Sequence, residues 1–244
     1  MAKTRLFERL AASNRFIGWI FMLRKVFLTQ SWKKYFSQYG EDIIYDRVIH
    51  MKQKGFFVDV GCFHPTKYSN TYKLYRFGWR GINIDLDAVK ISAFNLRRPS
   101  DTNVLCAVSE SEGECTLYSA GFYSLVQTLD PKTAEKMRSK GLSITESKVR
   151  TRPLSGIIDD TKYKDRKIDI LSIDVEGVEM MVLHSLDFER YCPKLIVVEY
   201  HGRTLEELMD TDLYKFMKEK GYNLYNWTGP TLHFIHPRKQ IPVK

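Results

Sequence analysis

Acidic residues, a glycine and a histidine recur where apolar runs of the chain end. The positions are Asp59 with Gly61, Asp85 with Asp87, Asp174 with Glu176, and Glu199 with His201, and a further apolar run ends at Ala107 and Val108. Carboxylates accept hydrogen bonds from hydroxyl groups and balance cations, a glycine lets backbone approach a ligand, and a histidine exchanges protons near neutral pH. These residue types indicate a ligand-binding site that can also perform acid–base chemistry.

The elements that carry these positions alternate between strands and helices after Gly40. The apolar runs predict strands at 56–61, 81–87, 103–109, 168–177 and 194–201. Helical spacing predicts helices at 41–53, 69–77, 88–97, 154–160, 178–187 and after the capping box of Thr204 and Glu207. The fold class that follows is α/β, with a Rossmann-like, doubly wound and mainly parallel sheet that binds ligands at the carboxyl ends of its strands.

Other segments complete the predicted domain. Residues 113–119 are predicted to pair antiparallel with the strand before them, and residues 146–152 to form another strand. Residues 120–150 are the least regular part, with the aromatic pair Phe122–Tyr123 and a Lys-rich helical segment from Pro131. An antiparallel hairpin around Thr228-Gly229-Pro230 closes the chain. We therefore expect a basic arm at 1–36 and one domain at 37–240.

The spacing of Asp59 and Asp85 restricts the ligand. Asp85 ends the second strand and is placed to accept both hydroxyl groups of a ribose. A dinucleotide would need the pattern G-x-G-x-x-G after the first strand, and this chain has the single glycine Gly61 there. The residues favour S-adenosylmethionine, which has a ribose and a sulfonium but no phosphate.

Several motifs together resemble the FkbM-type S-adenosylmethionine-dependent methyltransferases. They are SQYGED (37–42), VDVGCFHP (58–65), YSNTYKLY (68–75), GWRGINIDLD (78–87), CAVS (106–109), IDVEGVE (173–179) and VVEYH (197–201). The resemblance spans residues 37–235, and it implies a class I methyltransferase fold and O-methylation of a hydroxyl on a sugar or natural product.

The resemblance also implies a role for individual residues. Asp59 and Gly61 would form the methionine-side loop, Asp85 would hold the ribose, Ala107 and Val108 would flank the adenine, and Asp174 would lie near the transferred methyl. Gln38, Glu41 and Asp42 would close the site. The predicted cofactor contacts are Gln38, Asp59, Gly61, Asn70, Asp85, Leu86, Ala107, Val108 and Asp174.

A sugar hydroxyl is a poor nucleophile, so methyl transfer to it needs a base or a metal ion. The predicted catalytic residues are His201, Asp174 and Glu176, with His201 preferred as the base because histidine titrates near neutral pH. The alternative is a divalent ion such as Mg²⁺ held by Asp174 and Glu199. His64 is a weaker candidate for the base, since beside Pro65 it can simply shape the turn.

Charge is concentrated at the ends of the chain. The net charge is +9, yet residues 1–36 contain eight Lys or Arg against one Glu, and the body is close to neutral. A nucleic-acid groove would place its charge in the body, so no nucleic-acid partner is expected. The segment 15–28 is too short to span a bilayer. We expect residues 1–30 to contact a membrane surface or a second subunit.

The remaining expectations concern location and rival functions. The four cysteines form no C-x-x-C pair, which favours buried thiols in the cytoplasm over a disulfide framework or a zinc site. The predicted location is cytoplasmic, with peripheral contact at the inner membrane face as the variant. Rival functions are an inactive glycan- or lipid-binding module on the same fold, and an RNA methyltransferase.

Overall fold

The chain divides into two units, Met1–Lys34 and Tyr35–Lys244. The computed structural model describes residues 14, 16–17, 19–20, 22–23, 35–49, 54–121, 124 and 126–237. In the first unit, residues 16–17, 19–20 and 22–23 are helical. Several predictions fall outside the described residues: most of the arm 1–36, the end of the helix predicted at 41–53, the pair Phe122–Tyr123, and the tail from 238.

The second unit alternates strands and helices as the sequence pattern predicts. Its strands are β1 Phe56–Val60, β2 Arg80–Asp85, β3 Thr102–Leu105, β4 Ala107–Val108, β5 Gly113–Ser119, β6 Gln127–Thr128, β7 Thr145–Arg152, β8 Ile170–Ile173, β9 Leu195–Glu199, β10 Asn223–Thr228 and β11 Thr231–Ile235. Its α-helices are α1 Tyr45–Val48, α2 Tyr72–Arg76, α3 Ala88–Arg97, α4 Pro131–Ser139, α5 Leu154–Asp159, α6 Glu179–His184, α7 Leu205–Asp210 and α8 Asp212–Glu219, and a 3₁₀ turn, Glu41–Ile43, precedes α1.

A mostly parallel sheet forms the centre of this unit. Its strand order is β10-β11-β9-β8-β1-β2-β3. The strands from β9 to β3 run parallel, β11 runs antiparallel to β9, and β10 runs antiparallel to β11. The predicted α/β class with a mostly parallel sheet is confirmed. Every residue of β1 and β8 is buried, as expected for strands covered by helices on both faces.

Several predicted elements extended too far, and two of them show a local reason in the backbone. The strand predicted at 168–177 ends at Ile173, because Glu176 and Gly177 take positive φ angles of 56° and 100° in the loop that follows. The helix predicted after Thr204 is two helices, because Thr211 between them is extended, with φ −72° and ψ 151°, and its side chain caps α8. In both cases the element ends where the backbone conformation changes locally, and the spacing of hydrophobic residues does not reveal such a change.

The pairing predicted for residues 113–119 was wrong. Strand β5 pairs antiparallel with β7 and with β6, and β4 pairs parallel with β7, so these four strands form a second, smaller sheet. The chain leaves the large sheet after Leu105, where the Cys106 amide donates to the Asp85 carbonyl. The predicted strand at 103–109 is therefore divided between two sheets.

Two smaller findings concern the thiols and the helices. Cys62, Cys106 and Cys115 carry free thiols, and burial raises the pKa of the Cys62 thiol. Across the described residues, each helix is too short or too polar to reach from one side of a membrane to the other.

Candidate active site

The register of the central strands brings the predicted acidic positions to one edge of the large sheet. Val60 lies opposite Ile84 of β2 and Ile173 of β8, and Ile173 lies opposite Val198 of β9. The residues that follow these four positions include Gly61, Asp85, Asp174 and Glu199. The carboxyl ends of β2, β1, β8 and β9 thus lie side by side in that order.

Gly61 sets how closely the loops after β1 and β8 approach each other. Its φ is 76°, and a Cβ atom there would overlap the carbonyl oxygen of Asp174. Its amide donates to the Ile84 carbonyl at 2.9 Å, and the Asp174 amide donates to the Val60 carbonyl at 3.0 Å. The glycine is thus needed for contact between two loops of the protein, whereas the sequence suggested close approach to a ligand.

Asp85 organises the loops after β1 and β2. One carboxylate oxygen accepts the Phe63 amide at 3.1 Å and the other accepts the Asp87 amide at 2.9 Å. Burial raises the pKa of the carboxyl group, and the neighbouring Lys90 ammonium opposes that rise. Each oxygen keeps a second lone pair for a ligand donor.

An apolar wall lies beside Asp85. Leu86 packs against a buried cluster of Ala107, Leu117 and Val149 from the smaller sheet, and Val108 packs on the main core. The smaller sheet is fastened there by Gln127, whose amide donates to Asp87 at 2.5 Å and whose oxygen accepts from Lys90 at 2.6 Å. The insertion that the sequence left without a role therefore contributes a side of the site.

Asp59 is buried, and side-chain hydroxyl groups donate to it. Thr71 donates its hydroxyl proton to Asp59 at 2.6 Å, and Ser172 of β8, opposite Asp59 in the strand register, lowers the pKa of Asp59. The Asn70 amide donates to the Ser172 hydroxyl at 3.3 Å. Burial raises the pKa of Asp59, while these donors and the Arg98 guanidinium lower it.

Thr71 and Ser172 were missed by the sequence analysis. Ser172 carried a readable signal, because it is the one polar residue of the fully buried strand ILSI, and a buried hydroxyl must find a partner. Thr71 carried no such signal, since it follows Ser69 and Asn70, which are equally good helix caps. In the structure Ser69 accepts the Tyr72 amide at 3.1 Å.

Asp174 and Glu199 follow the paired residues Ile173 and Val198 at the ends of the neighbouring strands β8 and β9, which confirms that they lie on adjacent strands. Burial, with the negative charge of Glu199 added to it, raises the pKa of Asp174 to about 8. Burial and Glu176 raise the pKa of Glu199, and the hydrogen bond from Asp174 opposes that rise. At neutral pH the pair keeps one proton, which Asp174 donates to Glu199.

His201 and Glu176 approach the same pair from the solvent side. The His201 Nε2 atom lies 3.4 Å from Glu199 Oε2, and the His201 side chain is 67% exposed. One ligand atom from each of Glu176, Glu199 and His201 lies within 4.8 Å of the others. Among the described residues this group could hold a cation, whereas the sequence had suggested Asp174 with Glu199.

The N-terminal motif SQYGED reaches the sheet at β11. Glu41 is buried and accepts the Thr231 hydroxyl at 3.3 Å, and Thr231 lies opposite Glu199. The Tyr39 ring covers Gly229, where a Cβ atom would lie 2.8 Å from it. Gln38 is exposed, and its side-chain amide donates to the Tyr39 hydroxyl at 3.4 Å.

His64 serves the turn that follows β1. Its Nδ1 atom accepts the amides of Thr66 at 3.1 Å and Lys67 at 3.0 Å. Burial and the Lys67 charge lower the pKa of its imidazole. This geometry agrees with the turn-shaping role considered for His64 and leaves His201 as the stronger candidate for the base.

Comparison with known proteins gives a family match and several solved structures of low sequence identity. A sequence model described as "Methyltransferase FkbM domain" matches residues 59–224. A TehB-like SAM-dependent methyltransferase from Corynebacterium glutamicum is 12% identical with a TM-score of 0.40, covering 81% of this chain and 86% of that one. Precorrin 8w decarboxylase from Methanobacterium thermoautotrophicum is 13% identical with a TM-score of 0.38, covering 80% and 87%. The chain matches none of the curated proteins compared with it.

The first prediction tests the close approach at Gly61. Gly61→Ala should destabilise the fold more than Gly141→Ala, because both glycines have positive φ but only Gly61 lacks room for a Cβ atom. Gly141→Ala should cost about 1–2 kcal/mol for the left-handed backbone, and Gly61→Ala about 1–3 kcal/mol more for the overlap. Urea unfolding of both variants measures the difference. Equal losses would show that the loops can separate freely.

The second prediction concerns the proton held by Asp174. The folded state raises the pKa of this carboxyl group, so ionisation of Asp174 opposes folding as pH rises from about 4 to about 8. Asp174→Asn should therefore gain free energy of unfolding relative to the unmodified chain as pH rises through that window. Asp159→Asn is the control, because hydrogen bonds from Arg190 lower the pKa of Asp159 to about 2, so its effect on the free energy of unfolding should stay constant through this window and change only below about pH 4. A flat difference for Asp174→Asn across the window would contradict the shared proton.

Proposed function

The chain belongs to the FkbM methyltransferase family, and from this premise we propose that it transfers the methyl group of S-adenosylmethionine to a hydroxyl group of a sugar or glycan. The observation that carries the proposal is the row of carboxyl groups at one sheet edge: Asp85, Asp59, Asp174 and Glu199. A donor with two ribose hydroxyls, an ammonium group and a sulfonium needs acceptors and negative charge of this kind.

The donor's parts correspond to places along this edge. Asp85 has lone pairs left for the ribose hydroxyls, and the apolar surface of Leu86, Ala107 and Val108 suits the adenine. Asp59 suits the ammonium group of the methionine part, because it is a buried carboxylate held by neutral hydroxyl donors. Asp174 and Glu199 suit the sulfonium, since their shared negative charge faces the same edge.

The acceptor reaction needs alignment and removal of a proton. When bound, the donor supplies an electrophilic methyl group on a positively charged sulfur. His201 accepts the proton of the acceptor hydroxyl, and Glu199, 3.4 Å from His201 Nε2, stabilises the imidazolium that forms. Asp174 keeps its proton, directed toward Glu199, and this limits the repulsion between the two carboxyl groups. A divalent cation at Glu176, Glu199 and His201 is the second way to activate the hydroxyl.

The acceptor, the partners and the location are part of the same proposal. A sugar or glycan acceptor, as in polysaccharide biosynthesis, suits a body that is close to neutral overall, whereas RNA would favour a basic groove. We place the protein in the cytoplasm, with residues 1–30 contacting the inner membrane face or a second subunit. Phe16, Trp19, Ile20 and Met22 are exposed helical residues there, which supports an interaction role.

Mass spectrometry provides the direct test. The purified chain is incubated with S-adenosylmethionine and a panel of glycans, sugar nucleotides and RNA, and products are searched for a gain of one methyl group. Methylation of a carbohydrate supports the proposal in full. Methylation of RNA alone would overturn the acceptor class, and calorimetry that shows no donor binding would favour an inactive binding module.

The third prediction concerns the donor. Asp85→Ala should weaken S-adenosylmethionine binding at least about tenfold, because hydrogen bonds to a charged group contribute roughly 1.5–3 kcal/mol each. Titration calorimetry measures the dissociation constant, and urea unfolding checks that the variant is folded. Asp210→Ala, an exposed residue at the end of α7, is the control and should bind normally. An unchanged constant in folded Asp85→Ala would reject the ribose assignment.

The fourth prediction separates the base from the metal. His201→Gln should lower turnover about 100-fold or more and leave donor affinity unchanged, with activity of the unmodified chain surviving a chelator. His184→Gln is the matched control, because His184 also lies 3.3 Å from a glutamate, Glu110, yet stands at the end of α6. If turnover is instead lost in chelator and recovers in Mg²⁺ or Mn²⁺, a bound metal ion and not His201 as base activates the acceptor hydroxyl.

A further inference from the structure

Asp59 is a buried carboxylate whose nearest cation already has a partner. Asp59 is 4% exposed, and the positive charge that acts on it belongs to Arg98. Arg98 is fully buried and forms an ion pair with Asp101 at 2.8 Å between Nη2 and Oδ2, and its Nε atom donates to the same oxygen at 2.9 Å. The Arg98 charge is thus largely balanced by Asp101, and no residue that the structure describes supplies Asp59 with a counter-ion of its own.

The hydrogen bonds around Asp59 run in one direction. Arg98 donates from Nη1 to the Thr71 hydroxyl oxygen at 3.0 Å, and Thr71 donates its proton to Asp59 at 2.6 Å. Guanidinium and amide N–H groups can only donate, so a hydroxyl that accepts from them has its proton left for another acceptor.

A second path has the same polarity. The Asn70 amide donates to the Ser172 hydroxyl at 3.3 Å, and Ser172 lies opposite Asp59 in the strand register and lowers the pKa of Asp59. The Ser172 hydroxyl that accepts from Asn70 therefore has its proton left for the neighbouring Asp59, as the Thr71 hydroxyl does. Asp59 is placed to accept a proton in each of the two hydrogen-bond chains, and a carboxyl group that only accepts hydrogen bonds is in its ionised form.

We infer that Thr71 and Ser172 are positioning residues, oriented by Arg98 and Asn70, that hold Asp59 as an uncompensated carboxylate for the ammonium group of the bound methyl donor. This inference rests on the proposed function and deepens it by naming which residues prepare the methionine end of the site. Asn70, expected from the sequence to touch the cofactor, acts in this arrangement through Ser172.

Within the described part of the chain, the other charged and titratable groups that act on Asp59 do not supply the missing cation. Those that interact with it electrostatically are Tyr45 from α1, Cys62 after β1, Arg98 and Asp101 after α3, and Asp174 after β8. Apart from Arg98 these groups are neutral or negative. A ligand ammonium would provide the balancing charge, whereas a ligand without one would gain nothing from Asp59.

The test compares two adenosine ligands in one variant. S-adenosylhomocysteine carries the ammonium group, and methylthioadenosine shares the adenosine and the thioether but lacks the amino-acid part. Thr71→Val removes the hydroxyl proton and should weaken S-adenosylhomocysteine binding about tenfold while methylthioadenosine binding stays unchanged. Thr71→Ser keeps a hydroxyl group and should therefore bind S-adenosylhomocysteine and methylthioadenosine with the same difference in affinity as the unmodified chain. Titration calorimetry measures both constants, and urea unfolding checks each variant.

The controls separate positioning from a merely structural role. Thr161→Val makes the same change where the hydroxyl donates to the Ile158 carbonyl at 2.8 Å, and both ligands should bind it normally. Ser172→Ala acts on the second path and should show the same selective loss, even where Thr71→Val fails to fold. An equal loss for both ligands, or no loss in folded variants, would overturn the inference alone. An unmodified chain that binds neither ligand would overturn the proposed function with it.

Discussion

Carboxyl groups are buried together at one edge of the large sheet, which is energetically unfavourable. Most of the surrounding structure supplies hydrogen bonds or protons that stabilise them there. Asp59, Asp85 and Asp174 each have a pKa raised by burial above the usual value for aspartate. An isolated buried carboxylate is expensive, so such groups find hydrogen-bond donors, a proton or a cation. Asp85 and Asp59 take hydrogen-bond donors of different kinds and Asp174 takes a proton, and this difference fixes what each acid can do.

The three routes use different parts of the chain. Asp85 takes backbone amides from its own loop and from the loop after β1, so the same bonds that satisfy it also fix the loops. Asp59 takes side-chain hydroxyls, and Asp174 keeps a proton that it shares with Glu199. The backbone donors of Asp85 leave it lone pairs for ligand hydroxyl groups. The neutral hydroxyl donor of Asp59 leaves its negative charge unbalanced. The proton of Asp174 leaves one negative charge for the pair of Asp174 and Glu199. One edge therefore offers three distinct environments to a single extended ligand.

The sequence predicts the parts of this arrangement that depend on strand ends. Alternating apolar runs place Asp59, Asp85, Asp174 and Glu199 after parallel strands, and parallel strands bring their carboxyl ends together. It could not predict that β4 to β7 form a separate sheet, because the pairing of β5 with β7 joins segments more than twenty residues apart that carry weak alternation. Nor could it predict Thr71 as a partner of Asp59, since that contact depends on where α2 begins. The spacing of hydrophobic residues therefore predicts where strands lie, whereas the hydrogen-bond partners of polar side chains depend on the geometry of the loops.

Gly61 links the loop geometry to the electrostatics. Without a Cβ atom there, the Asp174 carbonyl lies against the loop after β1, and the charge of Asp59, which precedes that loop, adds to the rise in the pKa of Asp174. A wider separation would weaken the repulsion among the acids and would also enlarge the space between the two loops. The close packing therefore keeps negative charge concentrated where no cation of the described chain balances Asp59. Since a bound cation would relieve that repulsion only in the folded state, ligand binding and folding stability are coupled at this edge.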